Sequence, residues 1–248
     1  MPERDGYREI FNHRGGAYHR AMADWPRARQ LEFQHMLTAA RVRAGMTVCD
    51  VPAGGGYLRD YLPTDVLYLA VEPSLPFARL CGPPGQVVLS EIEQLPFVGD
   101  SVDRFICLAA LHHVTDCAGF FSETQRCLRP GGLLALADVV ENSPVARFLN
   151  DFVDTHNPAG HRGRFLSTDT ERQLHRAGLR VETAQRIAYP WTFPDRPAMA
   201  RFCALLFGLE SSEQTTLAGI DQYLTPRLTS HGASLTWELR FLTAGKLP

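Results

Sequence analysis

Three consecutive glycines, Gly54-Gly55-Gly56, follow the run Val48-Cys49-Asp50-Val51. The pattern predicts a strand turning sharply toward a helix, with a ligand lying against bare backbone that side chains would otherwise block. Asp50 would stand at the carboxyl end of that strand and could accept a hydrogen bond from an ammonium group or from water. Glu72 ends a second apolar run, Leu67-Tyr68-Leu69-Ala70-Val71. There it is placed to accept both hydroxyls of a ribose. Glu91 and Ile92 follow a third run, where a carboxylate can accept from an adenine amino group and Ile92 can cover the ring. An unmodified ribose is common to adenosylmethionine and NAD, so Glu72 does not separate them. The dinucleotide fingerprint G-x-G-x-x-G/A wants a small residue where Arg59 stands, which counts against NAD.

These residues need a scaffold, and the apolar patterning supplies one. Short β-type runs at 46–51, 66–71, 86–89, 102–108 and 133–139 alternate with helical stretches at 57–61, 75–80 and 120–128. Alternation at this spacing implies right-handed crossovers and a parallel sheet in an α/β fold. The run 102–108 is nearly all apolar, as expected of a strand buried on both faces. Arg129-Pro130-Gly131-Gly132 reads as a turn. Residues 1–43 read as an N-terminal helical cap. Pro26 suits the first turn of a helix that runs to about Arg43 and stops at Gly45. Ser143-Pro144 starts a further helix, and Thr168 with Glu171 makes a capping-box pattern for another that Gly178 ends. A sixth strand is predicted at 180–187. Strict alternation of Leu235, Trp237, Leu239 and Phe241 with more polar neighbours marks a last one. The stretch 189–226 between them carries the helical stripe Met199, Phe202, Cys203, Leu206 and Phe207. A connection this long is expected to be functional, as a lid or a dimer contact.

The ordered set DVPAGGG, VEPS, SEIEQLPF, DRFICLAALHHV and LRPGG resembles the class I, type-11-like family of small-molecule methyltransferases, closely over about residues 40–140 and in outline elsewhere. The resemblance implies one domain over 1–248, with its cofactor core at 44–140. It also implies a Rossmann-like, seven-stranded, mostly parallel sheet with an antiparallel last strand, N-terminal helices and a helical insert between the last two strands. The implied cofactor is S-adenosyl-L-methionine. Asp50, Ala53, Gly54 and Gly56 would surround its methionine part and Glu72 its ribose. Pro73 and Ser74 would flank the adenine, and Glu91 and Ile92 would hold its far edge. Leu108, Ala109 and His113 would border the sulfonium, and Tyr18 would close the site. Pro52-Ala53 stands where the family often has Gly-Cys or Gly-Ser.

Methyl transfer from a sulfonium is an in-line displacement in which alignment supplies much of the acceleration. A base is needed only for an acceptor that must lose a proton. His113, His156 and His161 are the candidate catalytic residues, with Asp138 and His112 as further candidates beside them. His112 is expected at a helix start facing solvent. Asp154, His156 and His161 flank the loop Asn157-Pro158-Ala159-Gly160, but their spacing matches no named metal site, and no metal is assigned. That loop, with Trp191, Phe193 and Phe202, is expected to roof the acceptor pocket. Trp25, Arg27 and Arg29 would reach a substrate anion or cap the N-terminal helix. Arg27, Arg29, Arg41 and Arg43 together read as a solvated helix face.

The place after the fourth strand reads Leu108-Ala109-Ala110-Leu111, not the Asn/Asp-Pro-Pro-aromatic motif of base-amino methyltransferases. Cys107 lies in an apolar strand rather than in the Pro-Cys setting of cytosine-C5 enzymes. A formal charge of −2 and a pI near 6.5 add no electrostatic pull toward nucleic acid. A small-molecule substrate is therefore expected, nucleic acid is disfavoured, and a homodimer is allowed for. With no apolar run near ~20 residues, no signal-peptide pattern and six cysteines without a C-x-x-C pair, the expectation is a cytoplasmic protein with reduced thiols and no membrane contact. Two other readings stay open at this level: a nicotinamide-dependent oxidoreductase, and a non-catalytic cofactor-binding module.

Overall fold

The computed structural model describes residues 6–82, 86–114, 116–230 and 232–246. Its strands are β1 (Thr47–Asp50), β2 (Leu67–Val71), β3 (Val87–Val88), β4 (Val102–Leu108), β5 (Leu128–Asp138), β6 (Leu179–Phe193), β7 (Arg227–Thr229) and β8 (Gly232–Lys246). They form one sheet in the order β3-β2-β1-β4-β5-β8-β6. β1 to β5 pair in parallel, while β8 runs antiparallel to both β5 and β6. The expected mostly parallel sheet with a reversed last strand is therefore present. An eighth strand, β7, pairs with β8. It is three exposed residues long and has no alternation to betray it.

The helices are α1 (Tyr7–Asp24), α2 (Gln30–Ala40), α3 (Leu75–Cys81), α4 (Ala118–Cys127), α5 (Pro144–Arg147), α6 (Asp154–His156), α7 (Thr168–Arg176), α8 (Arg196–Phe207) and α9 (Glu213–Tyr223). A π-helical turn, Phe148–Val153, joins α5 to α6. Two main cores lie against the sheet, and β4 shows why its inner part, Phe105–Leu108, is apolar. Ile106 packs into one core with Phe33, Met36 and Trp237, while Phe105 and Cys107 pack into the other with Phe120 and Leu134.

Four local expectations are corrected. Pro26 does not open a helix running to Arg43: tight turns occupy that stretch, and α2 ends at Ala40 where Arg41 turns left-handed at φ 52°. The capping box on α7 is Ser167 with Thr170, one residue earlier than expected, and Glu171 instead pairs with Arg240. The turn at 129–132 is absorbed into β5, with Gly131 at φ 73°. Residues 189–193 belong to β6 rather than to the insert. Tyr189, Trp191 and Phe193 alternate inward there, and Pro190 is tolerated because β6 is an edge strand. The helical insert is therefore α8 and α9.

The six cysteines are unpaired, and all but Cys117 are buried. No helix among the described residues is long and apolar enough to cross a membrane.

Candidate active site

The strand order reverses between β1 and β4, and open α/β sheets bind ligands in the crevice beyond the carboxyl ends at that point. β1 and β2 end there in Asp50 and Glu72, both buried. Glu72 accepts from the backbone N–H groups of Gly54 (2.8 Å) and Ser74 (2.9 Å) and from the Tyr7 hydroxyl (3.0 Å). Asp50 accepts from the Tyr68 hydroxyl at 2.8 Å. Burial pushes Glu72 up to about 7 against the pull of those three donors. It pushes Asp50 to about 7 as well, offset by Tyr68 and reinforced by Glu72.

The glycine turn is as tight as its composition implies. Gly54 and Gly56 sit at φ 55° and 75°. A side chain at Gly54 would meet the Phe77 ring at 3.2 Å. Gly54→Ala combines this contact with a left-handed backbone and is expected to cost about 1–2 kcal/mol. Calorimetric melting reads this as a Tm lowered by roughly 2–8 °C. Arg59 stacks its guanidinium over Tyr68 at 4.8 Å and so helps to position the Asp50 partner. Ser74 caps α3 through the Phe77 N–H at 3.3 Å.

One stripe of α1 covers this crevice. Tyr7, Phe11, Arg14 and Tyr18 recur at helical spacing. Phe11 stacks on Phe77 at 5.1 Å, and Tyr18 meets Phe77 edge-on at 5.6 Å. That spacing is the signal for Tyr7 and Arg14, which the sequence reading does not single out although it places Tyr18 of the same stripe at the site. Arg8 pairs with Glu91, but both side chains are largely exposed, so the tether is weak. Ile92 is buried beside it. The cavity left between Asp50, Gly54, Phe77, Leu108 and Ala109 measures about 50 Å³, room for a few waters.

Ala109 holds a left-handed backbone at φ 52° and lines both this cavity and a second one, also about 50 Å³. The second is walled by Tyr18, His113, His161, Trp191, Phe207 and Trp237. One nitrogen from each of His112, His113 and His161 lies within 4.8 Å of the others. Their neighbours fix two of the rings. Asp138 accepts from the backbone N–H groups of His112 (3.1 Å) and Val139 (2.7 Å) and binds His112 Nδ1 at 2.7 Å. Asn150, on the π turn, accepts from Gly163 N–H (2.9 Å) through the oxygen that also meets His161 Nδ1 at 3.2 Å. Both imidazoles therefore donate from Nδ1, leaving Nε2 as the open nitrogen. Burial, then the neighbouring imidazoles, then Arg14 hold His113 well below its ordinary value. Burial, His112 and Arg14 take His161 down to about 3.

Several expected positions fall elsewhere. His112 is buried against Asp138 rather than facing solvent, because the short turn Leu111–His113 tucks under β5. His156 does not join the histidine group but packs on Phe152 at 4.5 Å. Phe193 and Phe202 are core residues packed together, and only Trp191 of that trio reaches the cavity. Trp25 packs edge-on against Phe202, and Arg27 is exposed. Arg29 is no solvated residue. It is buried, pairs with Glu32 and donates to the Tyr18 hydroxyl. Burial alone would lower its pKa, but Glu32 and Tyr18 together outweigh this and hold it above its ordinary value.

A crevice at a β1/β4 switch point, beside a sheet with one reversed strand, is an arrangement that known proteins share. Residues 49–136 match the family profile described as a methyltransferase domain. That profile spans the stretch from β1 to β5, and over it the chain is similar to methyltransferases of the class I, S-adenosylmethionine-dependent kind. It is 32% identical over 144 residues to the phthiotriol/phenolphthiotriol dimycocerosates methyltransferase of Mycobacterium leprae, covering 54% of this chain and 52% of that one. The YcgJ protein of Bacillus subtilis superposes with a TM-score of 0.65 at 18% identity, over 88% of this chain and 99% of its own. The cyclase SpnF does so with a TM-score of 0.68 at 15% identity, over 98% of each chain. Those last two likenesses concern the fold alone. The chain spans about half the length of the curated relatives it matches.

Proposed function

We propose that this protein transfers a methyl group from S-adenosylmethionine to a small-molecule acceptor. The observation that carries the reading is the adjacency of two cavities across Ala109, one lined by the buried carboxylate Asp50 with Glu72 behind the glycine turn, the other walled by aromatic rings and imidazoles.

The residues suit the cofactor. Asp50 and Glu72 are buried carboxylates with no ion pair among the described residues, and their raised pKa values record that missing compensation. An ammonium at Asp50 and ribose hydroxyls at Glu72 would supply it. Ala53, Gly54 and Gly56 leave the backbone bare for the methionine part, while Ile92 and Phe77 offer apolar faces to the adenine. When bound, the cofactor supplies an activated methyl group. The chain's own residues then align the acceptor and exclude water. His113 and His161 are neutral at ordinary pH and can accept a hydrogen bond from the acceptor, but burial makes them weak bases, which suits an acceptor that needs no proton removed. His156 stands apart from that role. The aromatic walls favour a small apolar body, so we read the substrate as a small molecule rather than a nucleic acid.

Titration calorimetry with S-adenosylhomocysteine tests this reading. Binding is expected, and absence of binding at millimolar concentration removes the proposal. The pH dependence follows from the two carboxylates. Their folded pKa values, about 7, lie above the ordinary 4.5 for Glu72 and 3.8 for Asp50. Between those values the folded chain holds more protons than the unfolded one, so ligand-free stability falls as pH rises toward about 7. Affinity for the cofactor product should rise over the upper part of that window, as Glu72 and Asp50 ionise, and level off above it. A flat profile from pH 5.5 to 8.5 removes the role of these carboxylates.

A further inference from the structure

Two arginines line the aromatic cavity, Arg29 buried and Arg14 half-buried, and they differ in one respect. Arg29 has Glu32 as a counter-charge. Arg14 has none among the described residues. Its Nη2 donates to the Leu206 carbonyl at 2.7 Å, at the C-terminal end of α8, while its Nε is buried without a partner. Burial lowers the guanidinium to about 10, and the Tyr18 phenol only partly offsets it.

The position of Arg14 matters as much as its charge. It lines the wall between the aromatic cavity and an outer cleft of about 850 Å³. His112, His113 and His161 share that wall. The cleft also carries Arg164, Glu9 and Arg162, the last paired with Asp154 at 3.3 Å, so its outer charges are mixed and Arg14 is the cation that reaches the aromatic cavity from it. Behind the wall, Trp191 and Trp237 stack at 4.2 Å, and Phe207 lies nearly parallel to Trp237 at 5.7 Å. Flat apolar walls thus meet one uncompensated guanidinium and three imidazoles. A metal ion on those imidazoles would place like charge beside Arg14, whereas an anion relieves it. A planar carboxylate also matches the two-pronged donor geometry of a guanidinium.

We infer that Arg14 is the anion-recognition residue of the acceptor site and that the acceptor is a small aromatic carboxylate entering through the outer cleft. The inference rests on the methyltransferase reading above and adds the chemical class of the substrate. The carboxylate binds at Arg14, and the ring extends between the aromatic walls toward Ala109.

The probe is 4-fluorobenzoate, compared with neutral 4-fluorobenzamide, followed by fluorine NMR on the full chain loaded with S-adenosylhomocysteine. The carboxylate should bind at least about tenfold more tightly than the amide, since a charged hydrogen-bonded pair outweighs a neutral one. Arg14→Gln should erase that preference, and Arg14→Lys should keep part of it. Equal binding of the two probes overturns the inference, as does no binding of the carboxylate at millimolar concentration. A preference that survives in Arg14→Gln also overturns it and reduces Arg14 to a cap on α8, which a lowered Tm alone would then register. Should Arg14→Gln not fold, the native preference and its retention in Arg14→Lys decide; a Lys variant that treats both probes alike overturns the inference. Binding of S-adenosylhomocysteine, measured in the same samples, keeps a failure here separate from a failure of the methyltransferase reading.

Discussion

Glu72→Ala is expected to weaken binding of S-adenosylhomocysteine by about two orders of magnitude. Each hydrogen bond to a charged group is worth about 1.5–3 kcal/mol, and two ribose hydroxyls would be lost together. The same change also removes the acceptor for the Gly54 and Ser74 N–H groups, so some loosening of the glycine turn accompanies it. Tyr7→Phe separates the two effects. It leaves the carboxylate and both backbone bonds intact and deletes only the hydroxyl that competes with a ribose for Glu72. Its affinity should hold steady or rise a few-fold. Calorimetry on both variants, with melting curves as a control, makes the check. An affinity unchanged by Glu72→Ala would take the ribose role away from this residue.

The largest effect on stability is expected from Glu32→Ala. Glu32 is fully buried, pairs with Arg29 and accepts from Trp191 Nε1 at 2.9 Å. Removing it strands a buried guanidinium and an indole N–H at once. Breaking a buried pair from one side costs about 3–5 kcal/mol, a large share of the roughly 5–15 kcal/mol that holds a domain folded. A Tm drop on the order of 10 °C follows for a chain of this size. Replacing both partners by apolar residues, Arg29→Met with Glu32→Leu, should recover much of the loss. A Glu32→Ala variant melting within a degree or two of the native protein would show that the charge finds water. The pair also reaches the site, because Arg29 holds the Tyr18 hydroxyl and Tyr18 borders both cavities.

What could be read in advance followed physical range. Val102–Leu108 is legible to the residue, because burial on both faces leaves the apolar run Phe105-Ile106-Cys107-Leu108 at its core. The ends of β1 and β2 were legible because a bare turn and a strand-end acid leave local marks. The inner part of β6 was misassigned because Pro190 and three aromatics look like a loop until β8 is known to lie beside them. Charge was the hardest to read. Nothing in its neighbourhood distinguishes Arg29, which is buried by contacts with Glu32 and Trp191, from the exposed Arg27. His112 likewise appeared solvated, because its partner Asp138 lies 26 positions away. Asn150, which orients His161, carries no motif and is aimed by a π turn that periodicity cannot foretell.

The first turn of α1 closes over the same two acids that a nucleoside would use, Tyr7 on Glu72 and Arg8 on Glu91. The same turn, at Gly6, Glu9 and Ile10, also lines the outer cleft at Arg14. On the proposed function the two ligands would therefore share one gate, and a spent cofactor would leave as that turn lifts. Turnover at saturation would then report a helix opening, and loosening Tyr7 would shorten the dwell time of the product without touching the reacting atoms.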